Sequence, residues 1–437
     1  MSEPVLTALD SPEEARGRRV IRKVAWRLLP FLGLLYVLNI LDRTNAGFAR
    51  LTMQDELGMS PQAFDLGYGI FYVGYLLFEV PANLLLQRFG ARRWIARIMI
   101  TWGLVSCATM AVTGPASFSL ARLALGLAEA GFFPGIILYL TYWFPARERA
   151  RMNAYFVMAI AVAGILGSPV SGAIMEYLDG RGGLKGWQWL FLLEGIPSVL
   201  LGIATLFFLT DRPEEAEWLE PEERDWLVAR LRQEEKYRTG RHGADFLRAL
   251  VDGRVWLLIA LYFTVAVGTN AGGSYFPTIL KGRFGTGSTF TIGLLLALIN
   301  LCAVVAMVLV ARSSDRTGER RGHVALAAAL AAAGWTVAAV APSPWVALAG
   351  LCLAQAGMLS MLPPFWTLPA SFLSGAAAAG GIALINSVAN FGGLAGPTIL
   401  GQTGLGSMAV LLGLGSVLAL LVKHDRGLER GGRQGAP

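Results

Sequence analysis

Apolar residues fill the chain in runs of about 20 or more, the length an α-helix needs to cross a bilayer, and short polar stretches separate them. Twelve runs can be counted, starting near Trp26, Gln62, Trp94, Ala116, Met152 and Trp187, then near Arg254, Ser288, Val324, Pro344, Ala378 and Thr403. Between the sixth and seventh, the chain is dense in charge and opens Asp211-Arg212-Pro213-Glu214-Glu215. This pattern predicts an all-α membrane protein, with twelve transmembrane helices in two six-helix bundles. The expected divisions are an N-terminal segment 1–25, a bundle 26–209, a central loop 210–253, a second bundle 254–422 and a tail 423–437.

A few charged positions break the apolar pattern. Asp42 and Arg43 lie side by side near the end of the first run, where a charge costs a few kcal/mol unless it faces protein or a wet cavity. Arg122 and Glu129 repeat the anomaly in the fourth run, two turns apart on one helix face. Together they predict one shared polar site. Arg43 is the candidate for substrate recognition, because a guanidinium stays charged and grips a carboxylate through two parallel hydrogen bonds. Its neighbour Asp42 points off by about 100°, so one residue cannot readily satisfy the other. Asp42 and Glu129 are candidates to carry a coupled proton, since burial and a nearby arginine pull a carboxyl in opposite directions. Arg122 is the expected partner of Glu129 in one state, although about 10.5 Å of helix axis separates them.

Neighbouring polar and aromatic positions extend the site. Tyr36, Asn39 and Arg43 share a helix face, and Tyr75, Trp366 and Asn390 are expected to complete a cavity. Glu79 and Glu194 lie close to Pro81 and Pro197, where they are expected to satisfy backbone amides freed near a helix break. From Val324 through Val422 there is no Asp, Glu, Lys, Arg or His, so charge recognition must rest mainly on the first half.

Composition narrows the class. Of 437 residues, 54% are hydrophobic and only 15% charged, well below the charge content of a soluble domain. The net charge of +7 resides largely in short segments between the runs, so it reads as a topology signal and not as a nucleic-acid footprint. Lys and Arg cluster before the first run, after the second, fourth and eighth, and after the last, which predicts that both termini and the central loop are cytoplasmic. Residues 1–25 are charged and lack a signal-peptide core, so the first run is expected to act as an uncleaved insertion signal. Cys107, Cys302 and Cys352 fall in apolar runs without metal or redox spacing and are expected to be buried free thiols. His242, His323 and His424 sit in or beside the charged segments, so no histidine relay is expected. No P-loop and no grouping of nucleophile, base and orienting residue is present, and neither a cofactor, a metal nor an enzymatic activity is expected.

The halves echo one another. Arg88-Phe89-Gly90-Ala91-Arg92-Arg93 follows the second run, and Asp315-Arg316-Thr317-Gly318-Glu319-Arg320-Arg321 follows the eighth, as in a duplicated unit. These loops resemble the cytoplasmic gating motif of the major facilitator superfamily, on which Arg88, Arg92, Asp315, Arg316 and Arg320 fall. The first copy departs from the pattern, with Gln87 in place of the frequent acid and Asn83 in place of the frequent Gly. The segments 41–49 (Leu-Asp-Arg-Thr-Asn-Ala-Gly-Phe-Ala), 78–83 (Phe-Glu-Val-Pro-Ala-Asn), 129–135 (Glu-Ala-Gly-Phe-Phe-Pro-Gly), 142–145 (Tyr-Trp-Phe-Pro) and 187–195 are similar to the anion:cation symporter family. The resemblance implies two bundles working by alternating access, with proton-driven uptake of organic anions such as tartrate, sugar acids or aromatic acids. It also implies proton-coupling roles for Asp42, Glu129 and Arg122 and substrate contacts for Tyr75 and Asn390.

The expected function is therefore proton-coupled import of a small organic carboxylate by a monomeric protein of the inner cell membrane. An exchanger or exporter of similar anions is the second reading, since charge placement does not set direction. A sensor that binds without transport is the third, but a central loop of about 45 residues is too short for a signalling domain. Gly401-Gln402-Thr403-Gly404 leaves little room between the last two runs, so the twelfth helix is expected to be short or displaced.

Overall fold

In the computed structural model, residues 12–238, 252–370 and 375–422 are described, and all their regular structure is helical. The tail 423–437, with His424, and the part of the central loop holding His242 lie outside the described residues. The first half comprises α1 (Pro12–Glu56), α2 (Pro61–Phe89), α3 (Ala91–Ala108), α4 (Pro115–Glu129), α5 (Phe132–Trp143), α6 (Ala146–Val157), α7 (Ala159–Val162), α8 (Ser168–Tyr177) and α9 (Gly186–Phe208). The central segment contains α10 (Pro221–Arg238). The second half comprises α11 (Gly253–Phe284), α12 (Thr289–Thr317), α13 (Arg321–Val340), α14 (Pro344–Ala370), α15 (Gly375–Thr403) and α16 (Leu405–Leu421). Among the described residues, ten segments are long and apolar enough to cross a membrane; α15 and the 17-residue α16 fill the last two runs.

Three features depart from a simple row of straight spans. First, α1 is 45 residues long, about 68 Å, and overshoots a bilayer. Its overhang binds the central segment: Arg16 pairs with Glu222 at 2.7 Å and Lys23 with Glu223 at 2.6 Å, both on α10. Part of the expected loop is thus a helix strapped to the first bundle. Second, the fourth span breaks between α4 and α5 at Ala130-Gly131, where Gly131 has φ +84° and a Cβ would lie 2.5 Å from the Ala82 Cβ. Only glycine combines that left-handed backbone with that lack of space. Third, the fifth span carries a π-helical turn at Ala163–Gly167, between α7 and α8.

Small residues set the packing inside the bundles. A Cβ on Gly126 of α4 would fall 2.0 Å from the Phe71 carbonyl of α2, and one on Gly103 of α3 would fall 2.9 Å from the Gly195 carbonyl of α9. Such backbone approaches replace the hydrophobic drive that lipid does not supply. Large apolar side chains such as Leu77, Leu120, Phe207 and Val410 point outward, as a lipid-facing surface requires.

The bundles meet along three helix pairs: α1 with α11, α2 with α15, and α8 with α12. At each, glycine brings backbones into contact, with would-be Cβ distances of 2.3 Å from Gly47 to the Gly273 carbonyl and from Gly172 to the Thr289 carbonyl, and of 2.9 Å from Gly69 to the Leu394 Cα. Replacing Gly126 with Ala should therefore lower the melting temperature in detergent by overpacking worth about 1–3 kcal/mol. Gly33→Ala, at a site with nothing within 4 Å, should leave it nearly unchanged.

Candidate functional site

The adjacent charges on α1 diverge as their helical offset requires. Arg43 turns toward α2 and α4, where its Nε donates to Glu129 Oε1. Its guanidinium lies 4.9 Å from the Tyr75 ring centre and 5.4 Å from that of Phe71. Glu129 is the last residue of α4, at the break before Gly131, so the interrupted fourth span delivers it to Arg43. Its Oε2 is buried without a hydrogen-bond partner.

Arg122 does not pair with Glu129. Its guanidinium sits over the Phe71 and Tyr68 rings at 4.9 and 5.2 Å, with Nε and Nη1 unpartnered and the residue 1% exposed. Two turns of helix separate it from Glu129, and Arg43 from another helix reaches the carboxylate instead. Phe71 is thus flanked by two arginines.

Asp42 departs from the expected shared site. It points behind α1 into a niche between α3 and α9 and is fully buried. Trp102 Nε1 donates to its Oδ2 at 2.6 Å, Ser106 Oγ to its Oδ1 at 2.5 Å, Ser198 Oγ to Oδ2 at 3.1 Å and Asn45 Nδ2 to Oδ1 at 3.3 Å. Glu194 also departs from expectation: its carboxylate accepts from the Ser171 hydroxyl at 2.6 Å and not from a freed backbone amide.

The polar neighbours divide as well. Asn39 is fully buried beside this site with neither side-chain atom partnered. Tyr36 stacks on Phe156, centroids 4.6 Å apart, and belongs to an aromatic cluster with Phe132 and Phe133. Across the seam, Tyr72 OH donates to Asn270 Oδ1. Asn270 lines a cavity of about 130 Å³ in the second bundle together with Tyr262, Thr269, Asn386 and Asn390. Trp366 stands behind it, edge-on to Tyr262 at 4.9 Å. Tyr72, Asn270 and Asn386 escaped sequence reasoning, although intramembrane carboxamides carry the same signal that singled out Asn390. A larger hollow of about 480 Å³ between α12 and α14 is apolar and holds none of the charged residues. Cys302 and Cys352 line it, and all three cysteines are partly exposed and not fully buried as expected.

A second missed cluster closes the seam at the end remote from α10. Arg50 follows Arg43 by two turns on α1; its Nη1 donates to Asp65 Oδ1 at 2.7 Å and its Nη2 to Tyr275 OH at 3.1 Å, while Tyr275 OH donates to Asp65 Oδ2 at 2.7 Å. The two-turn spacing of Arg50 from Arg43 is the sequence signal that marks it. Nearby, Lys281 Nζ donates to the Leu51 carbonyl at 2.8 Å, and Ser288 Oγ to Glu176 Oε2 at 2.6 Å.

The gating-type loops make their contacts within their own halves. Arg92 N donates to Asp211 Oδ1 at 2.8 Å, so a carboxylate from beyond α9 caps the loop whose own motif lacks one. Arg320 pairs with Asp315 at 2.6 Å, while Arg88 and Arg316 are exposed.

Two helical bundles meeting at a polar seam, with membrane-buried charge concentrated in the first, define a multi-pass membrane transporter. The chain belongs to the major facilitator superfamily, whose family model matches residues 32–397. It is 49% identical over 416 residues to a protein named "Putative tartrate transporter" from Agrobacterium vitis, covering 93% of this chain and 92% of that one. It is 40% identical over 413 residues, 92% and 94% of the chains, to a "Quinolone resistance transporter" from Acinetobacter baumannii. In fold it is similar to the inward-open xylose transporter XylE from E. coli, with a TM-score of 0.72, 16% identity, and 95% and 99% of the chains covered.

Tyr275→Phe removes both hydroxyl contacts of the seam clamp. The population open at that end should rise about thirtyfold, reflecting about 1 kcal/mol for each of the two lost hydrogen bonds. Distances between spin labels on the ends of α1 and α11 check this; an unchanged distribution would contradict it.

Proposed function

We propose that the protein imports a small organic anion together with protons across the inner cell membrane, by rocking the two bundles about a site between α1, α2, α4 and α11. One observation carries the reading: Arg43 and the buried Arg122 flank Phe71, Glu129 pairs with Arg43, and Arg122 Nε and Nη1 are left without a hydrogen-bond partner. Buried charge without compensation is costly, so the arrangement favours an anionic guest. A substrate carboxylate competes with Glu129 for Arg43, and a proton taken up by Glu129 releases the arginine to the substrate. Binding of anion and proton is then linked through one ion pair. Asn386 and Asn390 line a cavity of the second bundle beside Asn270, itself held by Tyr72 and the Ala266 carbonyl, and offer uncharged hydrogen bonds to the rest of the molecule. The relatives named as tartrate transporters support a carboxylate cargo.

Export is the second reading, favoured by the similarity to the quinolone resistance transporter. Uptake of radiolabelled tartrate and a panel of sugar and aromatic acids into proteoliposomes, with the pH gradient imposed in either direction, separates the readings. Accumulation driven by inward protons is expected; uptake that ignores the gradient would overturn symport. Arg43→Ala leaves Glu129 buried and unpaired, a cost of about 3–5 kcal/mol, and uptake should fall by about a hundredfold or more. Arg43→Lys keeps the charge but loses the planar fork, so it should retain an intermediate rate with weaker apparent affinity.

A further inference from the structure

Behind the arginine face of α1 lies a second pair of carboxyls with no direct cation partner. Asp42 and Glu194 are 0% and 4% exposed, and the Asn45 carboxamide lies within hydrogen-bonding reach of both. Their partners differ in kind. The Asp42 oxygens accept from four donors, one of them the Trp102 indole N–H, which has no acceptor capacity and obliges Oδ2 to accept. Four accepted bonds use the lone-pair sites of an ionised carboxylate and leave no place for a proton. Glu194 instead accepts at Oε1 from Ser171, while its Oε2 and the neighbouring Asn45 Oδ1 are both buried with no partner. A carboxylate out of water with one hydroxyl donor, one orphaned oxygen and no cation is costly, and a proton on Oε2 removes that charge.

We propose that Glu194 holds a proton beside an ionised Asp42 and is a second protonatable residue of the transport cycle. In the state described here the proton stands on Glu194 Oε2 and the negative charge on Asp42. Deprotonation breaks that O–H bond and passes the proton to water, leaving a second carboxylate in the niche. The surrounding titratable and charged groups are few: Cys107 on α3, Glu129 and Arg122 on α4, and Arg43 on α1, which is turned away to Glu129; α8 contributes Ser171 and α9 contributes Ser198. Loss of the Glu194 proton would place two negative charges in one dry niche, where repulsion is weakly screened.

That repulsion has a route to the bundle seam. Ser171, which holds Glu194, adjoins Gly172, whose carbonyl accepts from Thr289 Oγ1 at 2.8 Å across the α8–α12 contact. Proton occupancy of the pair is thereby tied to the closure of the bundles. This inference rests on the symport reading for its role in the cycle but not for the proton itself.

Two measurements test it. Glu194→Gln places an amide N–H where the proton stands and fixes the protonated form. Proteoliposomes containing this variant should lose pH-gradient-driven tartrate accumulation, with the variant's melting temperature in detergent verifying that it folds. Accumulation with the wild-type pH profile would overturn the proposal. Independently of any substrate, infrared difference spectra of the wild-type protein after a pH jump should contain a protonated-carboxyl band that is absent in Glu194→Gln. Persistence of that band would also overturn it. If wild-type tartrate uptake ignores the pH gradient, the symport reading falls, and the infrared band still decides whether Glu194 holds the proton.

Discussion

A charge in a bilayer must find a partner inside the protein, and most of the first bundle is arranged around that requirement. Asp42, Arg43 and Arg50 all project from one helix, α1, with the two arginines two turns apart on one face and Asp42 on another. Arg43 reaches Glu129 on α4, Asp42 is enclosed by hydroxyl, indole and amide donors from α1, α3 and α9, and Arg50 binds Asp65 and the opposite bundle. Each solution demands close backbones. Gly126 lets α2 and α4 approach so that Phe71 lies between the arginines, and Gly103 with Gly195 lets α3 and α9 close over Asp42. The glycine content of the spans serves this electrostatic need as much as general packing.

The division of labour between halves follows from the same constraint. With no charged residue between Val324 and Val422, most of the second bundle contributes hydroxyls, carboxamides and rings. Its polar groups near the seam are Asn270, Asn386 and Asn390 around a small cavity, and Ser274 and Tyr275 at the clamp. Apart from Lys281, this surface meets the first bundle through uncharged donors and acceptors. Among the described residues the ion pairs near the seam remain within the first bundle, while contacts between bundles are hydrogen bonds that cost about 1–3 kcal/mol each to break. That balance suits the rocking proposed above.

The spans and the two-bundle division were legible because a run of about 20 apolar residues has few alternatives in a chain with 15% charge. The meeting of Arg43 and Glu129 was also foreseeable as one cluster, since both are anomalies at membrane depth. Helix phase alone did not reveal that Asp42 would leave that cluster. Its 100° offset showed that it points elsewhere, but the identity of the niche depends on Trp102, Ser106 and Ser198, ordinary residues in other spans. Arg50 and Asp65 were overlooked because they sit near run boundaries, where a charge reads as a loop residue. The α4–α5 break and the π turn depend on tertiary contacts, such as that of Gly131 with Ala82, that no local pattern encodes.

The break after Glu129 gives the site its capacity to change. A continuous fourth span would fix Glu129 in phase with Arg122 and hold it rigidly to α2. Ending α4 at that residue, with a left-handed glycine two positions later, makes Glu129 the terminus of one rigid element adjoining the start of another. The ion pair is the part of the site that competition by an anion would open, and it stands at the point where the fourth span is interrupted.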